Sequence, residues 1–230
     1  QFTYFMNNDT VGVGMPVRIE FSQAVKNKAA VERNMKITST KPTVGAWSWS
    51  ADNQAVTFRP QTYWPAKTKV KVAAALRGVQ IAPGIYGERD MKAAFKTGAS
   101  MVSTVDANSL TMKVRKDGKL VRTIPVTTGK SGFETRSGIK PIMAKEGTVV
   151  MDAASGGTPR GSSEYYRLTV NYSMRLTSSG EFVHAAPWSV GSQGRASVSH
   201  GCVGMSTGDA IWLYDQSRVG DVVVVKNTGR

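Results

Sequence analysis

One stretch of this chain concentrates its reactive side chains: Ser199-His200-Gly201-Cys202 holds the only cysteine and one of two histidines. The other histidine, His184, lies eighteen positions upstream. A thiol becomes a useful nucleophile when a neighbouring base takes its proton, and imidazole is suited to that near neutral pH. Gly201 removes a side chain beside the thiol and lets the backbone turn sharply. The N–H groups of Gly201 and Cys202 could then face a developing oxyanion. Together these parts suit attack on an amide or ester carbonyl through a thioester. His200, two residues from the thiol, falls on the same face of an extended segment and can border the same pocket.

A lone cysteine is more often a buried small hydrophobe, and a lone histidine a structural hydrogen-bonding residue. Their occurrence in one short window favours chemistry for Cys202 and His184, and an orienting role is open for His200. A zinc site would need His184, His200, Cys202 and a carboxylate such as Asp209. No Cys-x-x-Cys or His-Glu-x-x-His spacing supports one, so neither metal nor cofactor is expected.

The elements that must position this window come next. From residue 99 onward, strands are expected over 110–115 and 120–126, joined by Asp117-Gly118, which suits a type I′ turn. Further strands are expected over 148–152, 166–172 and 222–225. The Gly- and Ser-rich segment 153–163 lacks apolar anchors and reads as a mobile flap. Ser206 to Asp209 has the spacing of a capping box, with a helix over 210–217 burying Ile211, Leu213 or Tyr214.

Before residue 99 the pattern is of short strands: 17–21, 35–39, 46–50, 55–59, 69–75 and 92–97, with one helix over 24–34. That spacing implies a β-sandwich. The fold class is therefore mainly β. The expected organisation is a β-sandwich domain over 1–98 and a β-rich domain over 99–230 that holds the Cys-His window, with one or two short helices.

The 230 residues carry 30 Lys and Arg against 16 Asp and Glu, a net charge of +14. The excess is spread, +8 over 1–98 and +6 over 99–230. Such a surface suits a polyanionic setting. No dense basic block with interleaved aromatics, zinc-finger spacing or RNP-like segment points to nucleic acid. No apolar run approaches the roughly 20 residues of a membrane span. Gln1 onward lacks a secretory signal, so the chain is read as mature or trimmed, with any membrane anchor outside it. One unpaired cysteine rules out an internal disulfide and suits an exported protein that needs its thiol.

His184, fourteen intervening residues and Ser199-His200-Gly201-Cys202 resemble the signature of L,D-transpeptidases with the YkuD-type catalytic domain. The resemblance covers about 99–230, including Thr128-Gly129-Lys130 and His184-Ala185-Ala186-Pro187-Trp188; the front half resembles the immunoglobulin-like domain of actinobacterial members. NlpC/P60-type hydrolases place Cys before His, and sortases need an Arg after Cys where Val203-Gly204-Met205 stands here. The resemblance implies a peptidoglycan cross-linking enzyme at the cell wall or the outer face of the plasma membrane. Cys202 would attack the donor tetrapeptide, release D-Ala and pass the acyl group to a diaminopimelate acceptor as a 3→3 link.

His184 would be the base, oriented by the carbonyl of Ala185, and His200 and Gly201 would border the oxyanion. Tyr166, Met151 and Trp188 would line the donor pocket, with Ser199, Ala185 and Gly204 also at the substrate. Carbapenems would acylate Cys202. Gly204 departs from the Asn or Arg common at that position, and Arg160 of the flap could compensate. An L,D-carboxypeptidase using the same thiol, or a non-catalytic wall-binding protein, is the alternative.

Overall fold

The computed structural model describes residues 1–3 and 8–229. The chain divides into two compact units, Gln1–Ser100 and Met101–Arg230.

The first unit is a β-sandwich. One sheet runs Phe2–Thr3, Val17–Glu20, Ala55–Pro60, Gly45–Trp49; the other runs Thr10–Val11, Met91–Thr97, Lys69–Ala74, Met35–Ser39. Alternation drives the layering: Val17 and Ile19 are fully buried while Arg18 and Glu20 pair at 3.0 Å outside the core. Trp64 anchors the interior, donating its indole N–H to the Met15 carbonyl at 2.7 Å and meeting Phe95 edge-on. That bond satisfies the one polar atom of the largest buried side chain. The expected helix is shorter than read, Lys28–Arg33, because Asn27 caps it by accepting the Ala30 N–H. The hairpin Gln80–Ala82 and Ile85–Tyr86 was not anticipated.

The second unit holds a five-stranded sheet ordered Lys119–Pro125, Thr111–Lys116, Met101–Asp106, Val222–Lys226, Gly138–Pro141. A four-stranded sheet is ordered Ala144–Asp152, Arg167–Arg175, Phe182–Ala185, Val203–Met205. Met112, Ile124, Met174, Val183, Met205 and Leu213 fill the space between them. Asp117 and Gly118 turn the first hairpin with φ of +49° and +81°, as a type I′ turn requires. Ser206 accepts the Asp209 N–H and caps the helix Thr207–Gln216, which buries Leu213. Ile211, expected inside, is 37% exposed. The helix begins three residues earlier than the expected 210, so Ala210 takes the fully buried place.

Beneath the floor of this unit lies an ion cluster. Lys140 and Glu181, both buried, pair at 2.9 Å, and Arg136 reaches the same carboxylate at 3.3 Å. These cations hold the Glu181 carboxyl below its ordinary range against the opposing push of burial. Glu181 precedes the strand that carries His184, so the cluster fixes the start of that strand.

Candidate active site

His184 is the third residue of Phe182–Ala185, which runs parallel to Val203–Met205 with His184 beside Gly204. Residues paired across a ladder point to the same face, and so do residues two apart along a strand. Cys202 precedes Val203, so His184, Gly204 and Cys202 share one face. A cavity of about 350 Å³ opens there, lined by Cys202, His184, His200, Ser199 and Gly204 together with Met151, Tyr166 and Trp188. Ala186, Leu168, Thr127, Ser189, Ser192 and Val198 complete its wall.

His184 is 5% exposed and its Nδ1 lies 2.7 Å from the Ala185 carbonyl. A carbonyl only accepts, so Nδ1 carries the hydrogen. Burial pushes the ring's pKa down, the Ala185 contact opposing it. The imidazole is therefore neutral at pH 7, with Nε2 the unprotonated nitrogen. Trp188 stacks beside it, with 6.0 Å between ring centres.

Cys202 is 8% exposed, and its thiol donates weakly to the Gly180 carbonyl at 3.8 Å. Burial raises its pKa to about 11, a backbone hydrogen bond at Phe182 opposes the rise, and the Glu181 charge adds to it. Thiol and imidazole are thus both uncharged at rest, and a thiolate would have to be made on demand. A consequence is measurable. Iodoacetamide alkylation of Cys202 is expected to accelerate steadily from pH 7 to pH 10, because the thiol stays protonated until about pH 11. A plateau beginning below pH 8 would indicate a preformed thiolate–imidazolium pair instead.

The loop before the thiol is braced from within. Gly201 has φ of +114°, a region that side-chain-bearing residues rarely enter. Its N–H donates to Ser199 Oγ at 3.2 Å, while Ser199 Oγ donates to the Cys202 carbonyl at 2.6 Å. Of the two N–H groups expected to face an oxyanion, only that of Cys202 stays out of this brace. Residues 127–130 hold the loop from its other side. Thr127 Oγ1 accepts the Val198 N–H at 3.0 Å, and the Lys130 N–H donates to Ser199 O at 2.9 Å.

His200 is engaged away from the thiol. Its Nε2 lies 2.7 Å from Glu164, which Lys130 also grips at 2.6 Å. Phe133 and Tyr166 pack on its ring with centres 4.6 Å and 4.8 Å away. The Lys130 ammonium, then the His200 ring, hold the Glu164 carboxyl below its ordinary range. This ties segment 153–163, through Glu164 just beyond it, to the loop that precedes Cys202. The segment itself carries a short 3-10 helix, Ala153–Gly156, capped by Asp152.

Other site residues fall differently from expectation. Ala185 has a buried methyl outside the cavity wall, because the strand's alternation turns it from the face that holds His184; its carbonyl is what it supplies. Arg160 also lies outside that wall and reaches Asp152 at 3.8 Å. Asp209 is committed to Arg122 at 2.7 Å and to the helix cap, and no group of three His, Cys, Asp or Glu converges on a metal position among the described residues. Glu164 and Phe133 went unremarked in the sequence, and Lys130 was noted only within Thr128-Gly129-Lys130, since they act on His200 from 36, 67 and 70 positions away.

Gly204 has a spatial reason. A Cβ placed there would stand 2.9 Å from Ala186 Cβ and 3.0 Å from Thr127 Cγ2. Gly204→Asn is expected to overpack this wall and cost about 1–3 kcal/mol of stability in thermal denaturation. No loss would mean that Ala186 and Thr127 yield freely.

With this geometry in place, family comparisons assign the class. Residues 100–225 match the L,D-transpeptidase catalytic domain (YkuD), and residues 1–80 match a bacterial Ig domain. The chain belongs to the L,D-transpeptidase family. It is 37% identical over 222 residues to L,D-transpeptidase 2 of Mycobacterium tuberculosis, covering 96% of this chain and 54% of that protein. With L,D-transpeptidase 1 of the same species it shares 38% over 219 residues, covering 95% and 81%. The chain thus spans about half the length of the first relative. Among solved structures, LD transpeptidase LdtMt1 in complex with imipenem superposes with a TM-score of 0.86 at 38% identity, covering 98% of this chain and 97% of that one. L,D-transpeptidase 3 from Mycobacterium tuberculosis, in complex with a faropenem-derived adduct, gives 0.81 at 31%, covering 96% and 95%. No helix among the described residues is long and apolar enough to cross a membrane.

Proposed function

We propose that this protein transfers peptide acyl groups between peptidoglycan stems through a thioester on Cys202, forming 3→3 cross-links outside the cytoplasm. One observation carries the reading: Cys202 and His184 border a single cavity in which the Ala185 carbonyl fixes the imidazole with Nε2 as its free base. In the first half-reaction the thiol leaves Gly180 and gives its proton to Nε2. Its sulfur bonds to the carbonyl carbon between the third stem residue and the terminal D-Ala. The C–N bond breaks, and the imidazolium returns the proton to the departing D-Ala amine. In the second, the diaminopimelate side-chain amine attacks the thioester, His184 takes the amine's proton, and the sulfur leaves as thiol.

Roles for the other residues follow from their places. Gly201 and Cys202 supply the turn that receives the oxyanion, with the Cys202 N–H as the donor outside the Ser199 brace. Met151, Tyr166 and Trp188 bound the donor stem, and His200 positions the loop through Glu164. Trp188 and Val198, 57% and 40% exposed, give the cavity wall an apolar part open to solvent and suited to aliphatic stem segments. The same thiol is the expected target of carbapenems, as the imipenem and faropenem complexes of the relatives suggest.

The test is product analysis with a tetrapeptide donor, with and without a diaminopimelate-bearing acceptor. Release of D-Ala together with a 3→3 dimer is the expected result, and Cys202→Ala abolishes both. Free tripeptide without dimer would identify an L,D-carboxypeptidase. Undiminished turnover by Cys202→Ala would remove the thiol from the chemistry.

A further inference from the structure

The immunoglobulin-like unit carries a surface that thiol chemistry does not use. In the sheet Thr10–Val11, Met91–Thr97, Lys69–Ala74, Met35–Ser39, alternation buries Val70, Val72, Ala93 and Phe95. The opposite face presents Lys36, Lys69, Lys71, Lys92 and Lys96, all exposed. These four strands contain no Asp or Glu. Lys36 and Lys92 flank Ala73, Lys71 lies between Thr38 and Ala94, and Lys69 stands directly opposite Lys96. Like charges directly opposite on a sheet are destabilising. None of the five makes an ion pair among the described residues. The nearest acids by chain position are marginal. Asp9 precedes the edge strand, and Asp90 accepts the Arg77 N–H.

Small residues between the lysines leave a groove of about 520 Å³, walled by Lys36, Lys71 and Lys92 over Ala73 and Ala94, with Asn8 at one end. Residues two apart along a strand repeat at about 6.8 Å, so the lysines form rows at that interval along the groove. We propose that this face binds a linear, non-aromatic polymer of phosphate groups. Lysine binds phosphate as a point charge, and these strands carry no Arg to supply the planar fork that bidentate recognition uses. Among the described residues, the exposed large apolar side chains of this unit, Val44 and Tyr86, lie off these strands, so the strands themselves offer no anchor for a bilayer. Among the described residues the face also carries no exposed aromatic on which nucleic-acid bases could stack.

The test uses the whole 230-residue chain and long-chain inorganic polyphosphate as probe. Polyglutamate, phosphatidylglycerol vesicles and single-stranded DNA serve as comparison ligands. Lys36→Gln/Lys71→Gln/Lys92→Gln empties the groove of charge; Lys26→Gln/Lys113→Gln/Lys119→Gln removes the same charge from exposed positions elsewhere. The groove variant is expected to bind polyphosphate at least about tenfold more weakly, with its log–log salt slope reduced by about two. The control should stay within about twofold of the parent. Thermal midpoint and Cys202 acylation should hold in both, separating this result from any failure of the thioester reading. Equal weakening in both variants would reduce the effect to net charge and overturn the proposal. Tighter binding of polyglutamate, vesicles or DNA than of polyphosphate, dependent on the groove lysines, would overturn the assigned partner.

Discussion

Replacing His184 by alanine is expected to slow acylation of Cys202 by about 100-fold or more at pH 7. The size follows from the resting state. Burial holds the thiol's pKa near 11, so almost no thiolate exists until a base removes the proton. The cavity wall carries Nε2 of His184 as an acceptor, because Nδ1 is spent on the Ala185 carbonyl, while His200 is anchored through Nε2 to Glu164. The defect should shrink as pH rises toward 11, since hydroxide then generates the thiolate without the imidazole. A variant that acylates at the parental rate at pH 7 would take His184 out of the mechanism. His200→Ala should have a smaller effect on rate, because its ring holds the loop and does not receive the proton.

The largest loss of stability is expected for Lys140→Met. Lys140 and Glu181 are both under a tenth exposed and pair at 2.9 Å. Removing one partner of a buried pair leaves the other charge uncompensated, at a cost of about 3–5 kcal/mol. Arg136 lies on the more exposed side of Glu181 and offsets part of this, which places the expected value at the lower end. Denaturant unfolding near pH 7 measures it. The pH dependence has a definite sign. The Glu181 carboxyl is held below its ordinary range, so its contribution is present above the unfolded pKa and is lost as pH falls through the folded value. The parental chain should therefore lose this increment in acid, and Lys140→Met should show a flatter acid limb. Lys140→Met also leaves the Glu181 charge less balanced beside Cys202, so alkylation of the thiol should need a higher pH. Parental stability in the variant would make the pair energetically neutral.

The place of the candidate site was legible because it rests on rare residues at fixed spacing. Cys202 and the two histidines stand out in any reading, and Gly201 carries the positive φ that its place beside the thiol suggested. Local signals with a short physical range also carried through. Asp117-Gly118 and the Ser206 cap each depend on neighbours within three residues.

What stayed hidden depends on tertiary placement. The strand Met101–Asp106 escaped notice because Ser103 occupies a core-facing position, interrupting the apolar alternation of Met101 and Val105. The strand Gly138–Pro141 carries Lys140 inward, and a lysine reads as solvent-facing until Glu181 is known to meet it. His200 illustrates the same limit. Its spacing from Cys202 placed it at the cavity, but its partner Glu164 lies 36 positions away in a segment with no distinguishing pattern. Gly204 was expected to alter substrate contacts, and the closeness of Ala186 and Thr127, which leaves little room for a side chain there, could not be read from the sequence.

Intact-mass measurement after exposure to imipenem probes the thioester most directly, comparing the parent chain with Cys202→Ala. Addition of one inhibitor equivalent to the parent, located at residue 202 by peptide mapping, and none to the variant is what covalent loading of this sulfur requires. An adduct that survives loss of the cysteine, or a parent that stays unmodified while still releasing D-Ala, would contradict it.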